Sequence, residues 1–238
     1  MSNKSFRFKQ FEVQHDLCAM KVGTDGVLLG AWTPLKDAHS ILDVGTGSGL
    51  IALMCAQRVK NLDCSVVAID IDEGAVSQAN INIQNSPWKD RIEVVKADFL
   101  SMNEDRKFDI IVCNPPFFVE SLKCPDASRS MARHTDSLPL EELIGKASRL
   151  LTTNGLFSVV LPYDHYNLFV TAAISYGLSL SKLMLVHTVQ GKAPKRVLMC
   201  FKKSKGDEPK EEHLVITGGD GKHTSDFIFL TRDFYLAY

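Results

Sequence analysis

Asn114-Pro115-Pro116-Phe117 is the segment of this 238-residue chain whose residue types point most directly to chemistry. It follows an apolar run, Phe108 to Cys113, that reads as a buried strand. The Asn114 side-chain oxygen and the Pro115 carbonyl are two acceptors that can face the two N–H bonds of an exocyclic or amide NH2 group. The lone pair of such a nitrogen is delocalised, so the nitrogen is a poor nucleophile. Two fixed acceptors favour a more pyramidal nitrogen with its lone pair free for attack. The prolines serve this geometry: Pro115 holds Asn114 extended, fixes its own φ and brings no competing N–H. Phe117 offers a flat face on which a planar substrate can stack. A strong general base is unnecessary, because the nitrogen becomes acidic only as the new bond forms. The plain alternative is a proline-rich turn that ends a strand.

A second constellation lies upstream. Ile41 to Leu50 reads as a strand, a glycine-rich turn and a helix start, with Asp43 ahead of Gly45, Gly47 and Gly49. Such glycines let the backbone approach a ligand at the C-terminal end of a strand. The dinucleotide fingerprint would need Gly or Ala where Leu50 stands, so the pattern is instead Asp-x-Gly-x-Gly-x-Gly. An acid before the glycines suits a cofactor with an ammonium group and no pyrophosphate. Asp70 ends the next strand, where an acid can accept both hydroxyls of a ribose. Asp98 follows the strand after that, where a carboxylate can take an adenine amino group. Asp72 rivals Asp70, and each of these acids singly is also a plausible helix cap.

The elements that would hold these residues alternate. Strands are expected at Ile41–Val44, Val66–Ile69, Ile92–Lys96, Phe108–Cys113, Phe157–Leu161, Leu183–His187 and Val197–Phe201. Helices are expected at about 50–58, 72–85, 140–151 and 165–175, with Glu141 and Glu142 well placed in a first turn. This alternation implies an α/β fold with a mostly parallel sheet and crossover helices. The stripe Leu50, Leu53, Met54 and Ala56 is core packing. Phe6, Phe8, Phe11 and Val13 suggest an extended start, and Gly26 to Trp32 a short helix. Lys202 to Glu212 reads as an exposed charged loop. The aromatic C-terminus, IFLTRDFYLAY, should dock onto the body.

Composition adds boundaries. Apolar residues make up 45% and charged residues 23%, enough for a sizeable core. The formal net charge is -1, so no global basic field advertises nucleic acid, although a local patch is compatible with it. Six cysteines, at 18, 55, 64, 113, 124 and 200, form no C-x-x-C pair and no zinc-finger spacing, which implies reduced thiols and no metal site. The polar N-terminus and the lack of a long apolar run imply a cytoplasmic protein without a membrane partner. Nothing in the chain points to an obligate protein partner.

The Asn114–Phe117 motif resembles the (D/N)-P-P-(Y/F/W) signature of amino-methyltransferases. Segments 9–32, 42–58, 114–118, 132–144 and 230–238 resemble the bacterial valine-tRNA adenine-N6 methyltransferase family, which modifies the adenine just 3′ of the anticodon. This resemblance spans essentially the whole chain. It implies a Rossmann-like, seven-stranded class I methyltransferase sheet with an antiparallel last hairpin, over residues 38–238. Residues 1–37 would be an N-terminal extension packed near the cofactor site. It further implies S-adenosylmethionine as cofactor, held by Asp43, Gly45, Gly47, Gly49, Asp70 and Asp98, with Asn114, Pro115, Pro116 and Phe117 catalytic. Thr24 and Asp25 match a segment that closes over the methionine part of the cofactor in related enzymes. Phe117 stands where tyrosine is commoner, which keeps stacking but loses a phenol hydrogen bond.

A tRNA substrate needs phosphate contacts. Arg129, Arg133 and His134 lie in the loop after the motif, and Lys192, Lys195 and Arg196 surround a late-strand loop. The alternative for both groups is a solvated, salt-bridged loop. Three other functions stay open on the motif. A guanine-N2 ribosomal RNA methyltransferase shares the phenylalanine, and a protein-glutamine N5 methyltransferase shares the chemistry but usually has a separate substrate domain. An RNA-binding module with lost catalysis is disfavoured by the intact motif. His165 and His187 read as bystanders.

Overall fold

The apolar run at 41–44 becomes the strand around which the sheet is ordered. A computed structural model describes residues 4–18, 21–35, 37–115, 138–203 and 208–237. In chain order the strands are β1 (Ser5–Arg7), β2 (Glu12–Gln14), β3 (Ser40–Val44), β4 (Ser65–Asp70), β5 (Ile92–Lys96), β6 (Phe108–Cys113), β7 (Leu151–Pro162), β8 (Ser179–Val189), β9 (Arg196–Lys202) and β10 (Lys210–Thr217). The helices are α1 (Thr24–Trp32), α2 (Leu50–Arg58), α3 (Glu73–Gln84), α4 (Leu140–Leu150), α5 (Tyr166–Ser175) and α6 (Ser225–Thr231). The main sheet has eight strands in the order β10-β8-β9-β7-β6-β3-β4-β5. From β7 through β6, β3 and β4 to β5 every pairing is parallel, while β9 runs antiparallel to both β7 and β8.

Strand order reverses at β3: the chain leaves it toward β4 and β5, then returns to β6 on its other side. Ligands bind at such a reversal, outside the carboxyl ends of the strands. Asp43, Asp70 and Asn114 all stand at those ends.

Both faces of the sheet are covered, which is why its central strands are near-continuous apolar runs. Ile41, Val66, Ala68, Ile110 and Val112 belong to a core shared with α1 and α2. Leu42, Val44, Val67, Ile69 and Ile111 belong to a second core shared with α4 and α5. Residues 26–32 of α1 are all buried, so this helix is apolar all round. It lies so close to α2 that a Cβ on Gly30 would stand 2.8 Å from Met54 Sδ.

Two expectations change, and the extended start is met by a hairpin. The main sheet gains an eighth strand, because β10 adds to the edge, parallel to β8. Its first residues, Lys210 to Glu212, were expected in a loop. Their charges mislead because Glu212 is held by Trp32 Nε1 at 3.1 Å and by Lys182 and Lys210 at 3.1 and 2.8 Å, while Leu214 supplies the buried contact. β7 begins at Leu151, ahead of the expected Phe157. Buried Leu151 pairs with Phe108, and a register irregularity follows where a Cβ on Gly155 would meet the Phe108 carbonyl at 2.9 Å. β1 and β2 form a separate hairpin whose Phe8 and Val13 enter the first core.

The C-terminus docks as expected. Phe227 and Phe234 are buried, Tyr235 stacks on Phe8 at 6.0 Å, and the Lys9 amide donates to the Phe234 carbonyl at 2.8 Å. Among the described residues no helix is long and apolar enough to cross a membrane.

Candidate active site

Strand β3 delivers Asp43 into a fully buried position beneath the glycine loop. One carboxylate oxygen, Oδ2, accepts from Thr46 Oγ1 at 2.6 Å and from the Ala52 amide at 3.0 Å. That amide is one of the first-turn donors of α2 that has no partner within the helix. The other oxygen, Oδ1, is buried and has no hydrogen-bond partner among the described residues. Burial pushes the Asp43 carboxyl up to about 7; the bonds from Thr46 and Ala52 oppose this and nearby Asp70 adds to it. A buried carboxylate with a bare oxygen is a natural counter-charge for an ammonium group.

The loop above it is shaped for close approach. Gly45 and Gly47 have φ of 66° and 56°, and a Cβ at either would meet open space, so backbone geometry alone demands glycine there. The Asp70 oxygens accept from the Gly47 amide at 2.9 Å and from the Asp72 amide at 3.0 Å. Each retains a lone pair for a further donor. Asp72 caps α3 through the Ala75 amide at 2.8 Å. Asp98 is exposed and caps a short 3-10 turn, accepting from the Leu100 amide at 3.0 Å and Ser101 Oγ at 2.8 Å.

Asn114 emerges from the end of β6, one strand over from Asp43, as the pairing of Val44 with Cys113 requires. Its Oδ1 is buried and has no hydrogen-bond partner among the described residues. Such an oxygen costs about 1–3 kcal/mol unless something donates to it. The side chain's Nδ2 faces the first turn of α1, where a Cβ on Gly26 would lie 4.0 Å from it and 3.2 Å from Leu50 Cδ2. In that turn Thr24 is exposed and Asp25 half-buried. Pro115 is buried next to Asn114. Pro116, Phe117, Arg129, Arg133 and His134 lie outside the described residues.

The structure brings together Asp43, the glycine loop, Asp70, Asn114 and the start of α1. Arg196 is engaged with that same turn: its Nε donates to Asp25 at 2.7 Å. Lys192 and Lys195 are exposed on the β8–β9 connection. Sequence reasoning passed over the groups that brace the loop. Buried Asn82 donates to the Ser48 and Gln14 carbonyls, both at 2.8 Å, and buried Gln78 accepts from the Leu17 amide at 3.0 Å. Two amide side chains four apart on the inner face of α3 were the available signal. Among the described residues, no group of His, Cys, Asp and Glu side chains is arranged to hold a metal ion.

The family described as "Methyltransferase small domain" matches residues 22–168. A Bacteroides thetaiotaomicron protein named tRNA1(Val) (adenine(37)-N6)-methyltransferase is 51% identical, over 99% of this chain and 99% of its own. A Bacteroides fragilis protein of the same name is 52% identical, again over 99% of both chains. The chain belongs to this methyltransferase family. Among solved structures, a predicted O-methyltransferase from Agrobacterium tumefaciens superposes with a TM-score of 0.66 at 19% identity, covering 88% of this chain and 96% of that one. At that identity the likeness speaks for the fold: an α/β methyltransferase sheet. In this chain, Oδ1 of Asn114 and Oδ1 of Asp43 are two of the buried side-chain oxygens that have no hydrogen-bond partner among the described residues.

Proposed function

We propose that this protein transfers a methyl group from S-adenosylmethionine to the N6 amino group of an adenine in tRNA, the adenine 3′ of the anticodon in valine tRNA. The observation that carries the chemistry is the buried Oδ1 of Asn114, beside the switch point of the sheet and without a hydrogen-bond partner among the described residues. The substrate rests on the full-length relatives named for it.

The cofactor fits the residues present. Asp43 offers its bare oxygen to the ammonium group, the amides of the glycine loop border the methionine part, and Asp70 offers lone pairs to the ribose hydroxyls. Asp98 has capacity for the adenine amino group beyond its capping bonds. When bound, the cofactor supplies the electrophilic methyl group. Asn114 Oδ1 accepts one N6–H bond and the Pro115 carbonyl the other, which frees the nitrogen lone pair for in-line attack. α1 closes one side of the pocket and excludes water from the acceptors, which strengthens both bonds. Phe117 stacks on the flipped base. The proton leaves after the new bond has made the nitrogen acidic.

Offering tRNA, ribosomal RNA and a release-factor peptide in parallel, with labelled cofactor, tests this. Label recovered as N6-methyladenosine in tRNA is expected. Label in N2-methylguanosine or methylglutamine, with tRNA untouched, overturns the substrate and leaves the fold standing.

A further inference from the structure

The C-terminal end of β7 carries an aromatic pair that the catalytic chemistry does not use. Tyr163 and Tyr166 stack with their rings 6.2 Å apart and 7° from parallel. Tyr166 is half-buried and packs against the core under the sheet, whereas Tyr163 is 37% exposed. The inner ring is therefore fixed and supports the outer one. The Tyr163 amide donates to the Lys195 carbonyl at 3.2 Å, which ties the pair to the β8–β9 connection. Lys192 and Lys195 are exposed there, and neither side chain has an ion-pair partner among the described residues.

This pair stands at the substrate end of the sheet. β6 and β7 are parallel neighbours with Cys113 level with Val159. Asn114 is the next residue on β6, and Tyr163 comes four residues after Val159. At a rise of about 3.3 Å per residue, Tyr163 sits roughly 10 Å beyond the level of Asn114, one strand over. A nucleotide flanking a base held at Asn114 can reach it.

We propose that Tyr163, backed by Tyr166, is a stacking platform for an unpaired nucleotide of the RNA that flanks the methylated adenine, with Lys195 beside it for the adjoining phosphate. This rests on the tRNA reading above. Single-stranded RNA is recognised by splaying bases onto aromatic rings, and a pre-stacked pair loses little entropy on receiving one more planar group. Charge fixes the orientation. The Tyr163 amide bond to the Lys195 carbonyl puts a cation on one side of the pair, while burial and then Glu211 raise the Tyr166 phenol on the other, so the lysine side receives the phosphate. The platform also addresses the chain's net charge of -1: affinity that phosphate contacts do not supply comes from stacking.

The test is direct binding of a fluorescein-labelled RNA hairpin, of anticodon-loop size and with an unpaired adenine, to the full-length protein. Tyr163→Ala should raise Kd about tenfold, the order expected for one lost base–aromatic stack. Tyr163→Leu, which keeps apolar bulk without a flat ring, should be as weak. Tyr163→Phe should bind like the wild type. Melting temperature and cofactor affinity should be unchanged in all three. Lys195→Ala should flatten the log–log salt dependence by about 0.7–0.9. Wild-type Kd in both Tyr163→Ala and Tyr163→Leu overturns the platform alone. Failure of the wild-type protein to bind the hairpin overturns the tRNA reading, and the platform with it.

Discussion

Nε of Arg196 donates to the Asp25 carboxylate at 2.7 Å, joining the first turn of α1 to the start of β9 across 171 residues of chain. Both side chains are about one-third exposed, so the pair is a latch of modest strength rather than a buried ion pair. It anchors the first turn of α1, next to Gly26.

This latch gives Arg196 a role different from that of its neighbour Lys195. Arg196→Gln and Asp25→Asn should each destabilise slightly, and the double variant by less than their sum, with a coupling of about 0.5–1 kcal/mol. Arg196→Gln should leave the salt slope of RNA binding unchanged. Additive losses, or a slope reduced as in Lys195→Ala, would return Arg196 to the phosphate-binding group. Chemical denaturation and salt titration read the two outcomes.

Asp43 makes stability depend on pH in a definite direction. Its carboxyl is raised from 3.8 to about 7 by burial. The folded protein therefore holds a proton there that the unfolded chain releases. The stabilising contribution is full below about 4 and is lost as pH rises through about 7. Asp43→Asn does not titrate, so melting curves between pH 4 and 8 should move in the variant's favour as pH increases. The change should be several kcal/mol, at about 1.36 kcal/mol per unit. A wild-type-to-variant difference that stays flat over that range would contradict a buried, protonating Asp43.

Asp70 should matter for cofactor affinity and little for fold. Its carboxylate already bridges the Gly47 and Asp72 amides. Asp70→Ala should weaken S-adenosylmethionine binding by about 1–3 kcal/mol, the scale of a lost desolvated acceptor. Calorimetry showing equal affinity in both proteins would remove Asp70 from the site.

The close approach of α1 to α2 depends on Gly30, whose added Cβ would meet Met54 Sδ at 2.8 Å and Met54 Cβ at 3.0 Å. Gly30→Ala gains about 1 kcal/mol of helix propensity but overpacks a tight contact at a cost of about 1–3 kcal/mol. A net loss of stability is expected on denaturant titration. A stabilised variant would mean that Met54 moves aside freely.

Local signals were legible in the sequence where one short segment carries them. The glycine loop, the strand-end acids and the Asn114 motif are each contiguous with an apolar run, so element and site were read together. β10 was hidden because Lys210, Glu211 and Glu212 look like loop residues until Lys182 and Trp32, far away in sequence, neutralise and pack Glu212. In the sequence Asp25 and Arg196 read separately, as a cofactor residue and an RNA residue, and their pairing with each other is not legible. Their partner is long-range, and no spacing encodes it. The capping role of Asp98 was among the readings the sequence offered, since an aspartate before a helical turn is a favoured cap.

The most direct measurement is single-turnover methyl transfer by Asn114→Ala with tRNA and saturating cofactor. If the buried Asn114 oxygen activates the acceptor amine, the rate should fall by about 10²–10³, as for losing one preorganised polar group, with cofactor affinity unchanged. Transfer at near the wild-type rate would contradict that role for Asn114.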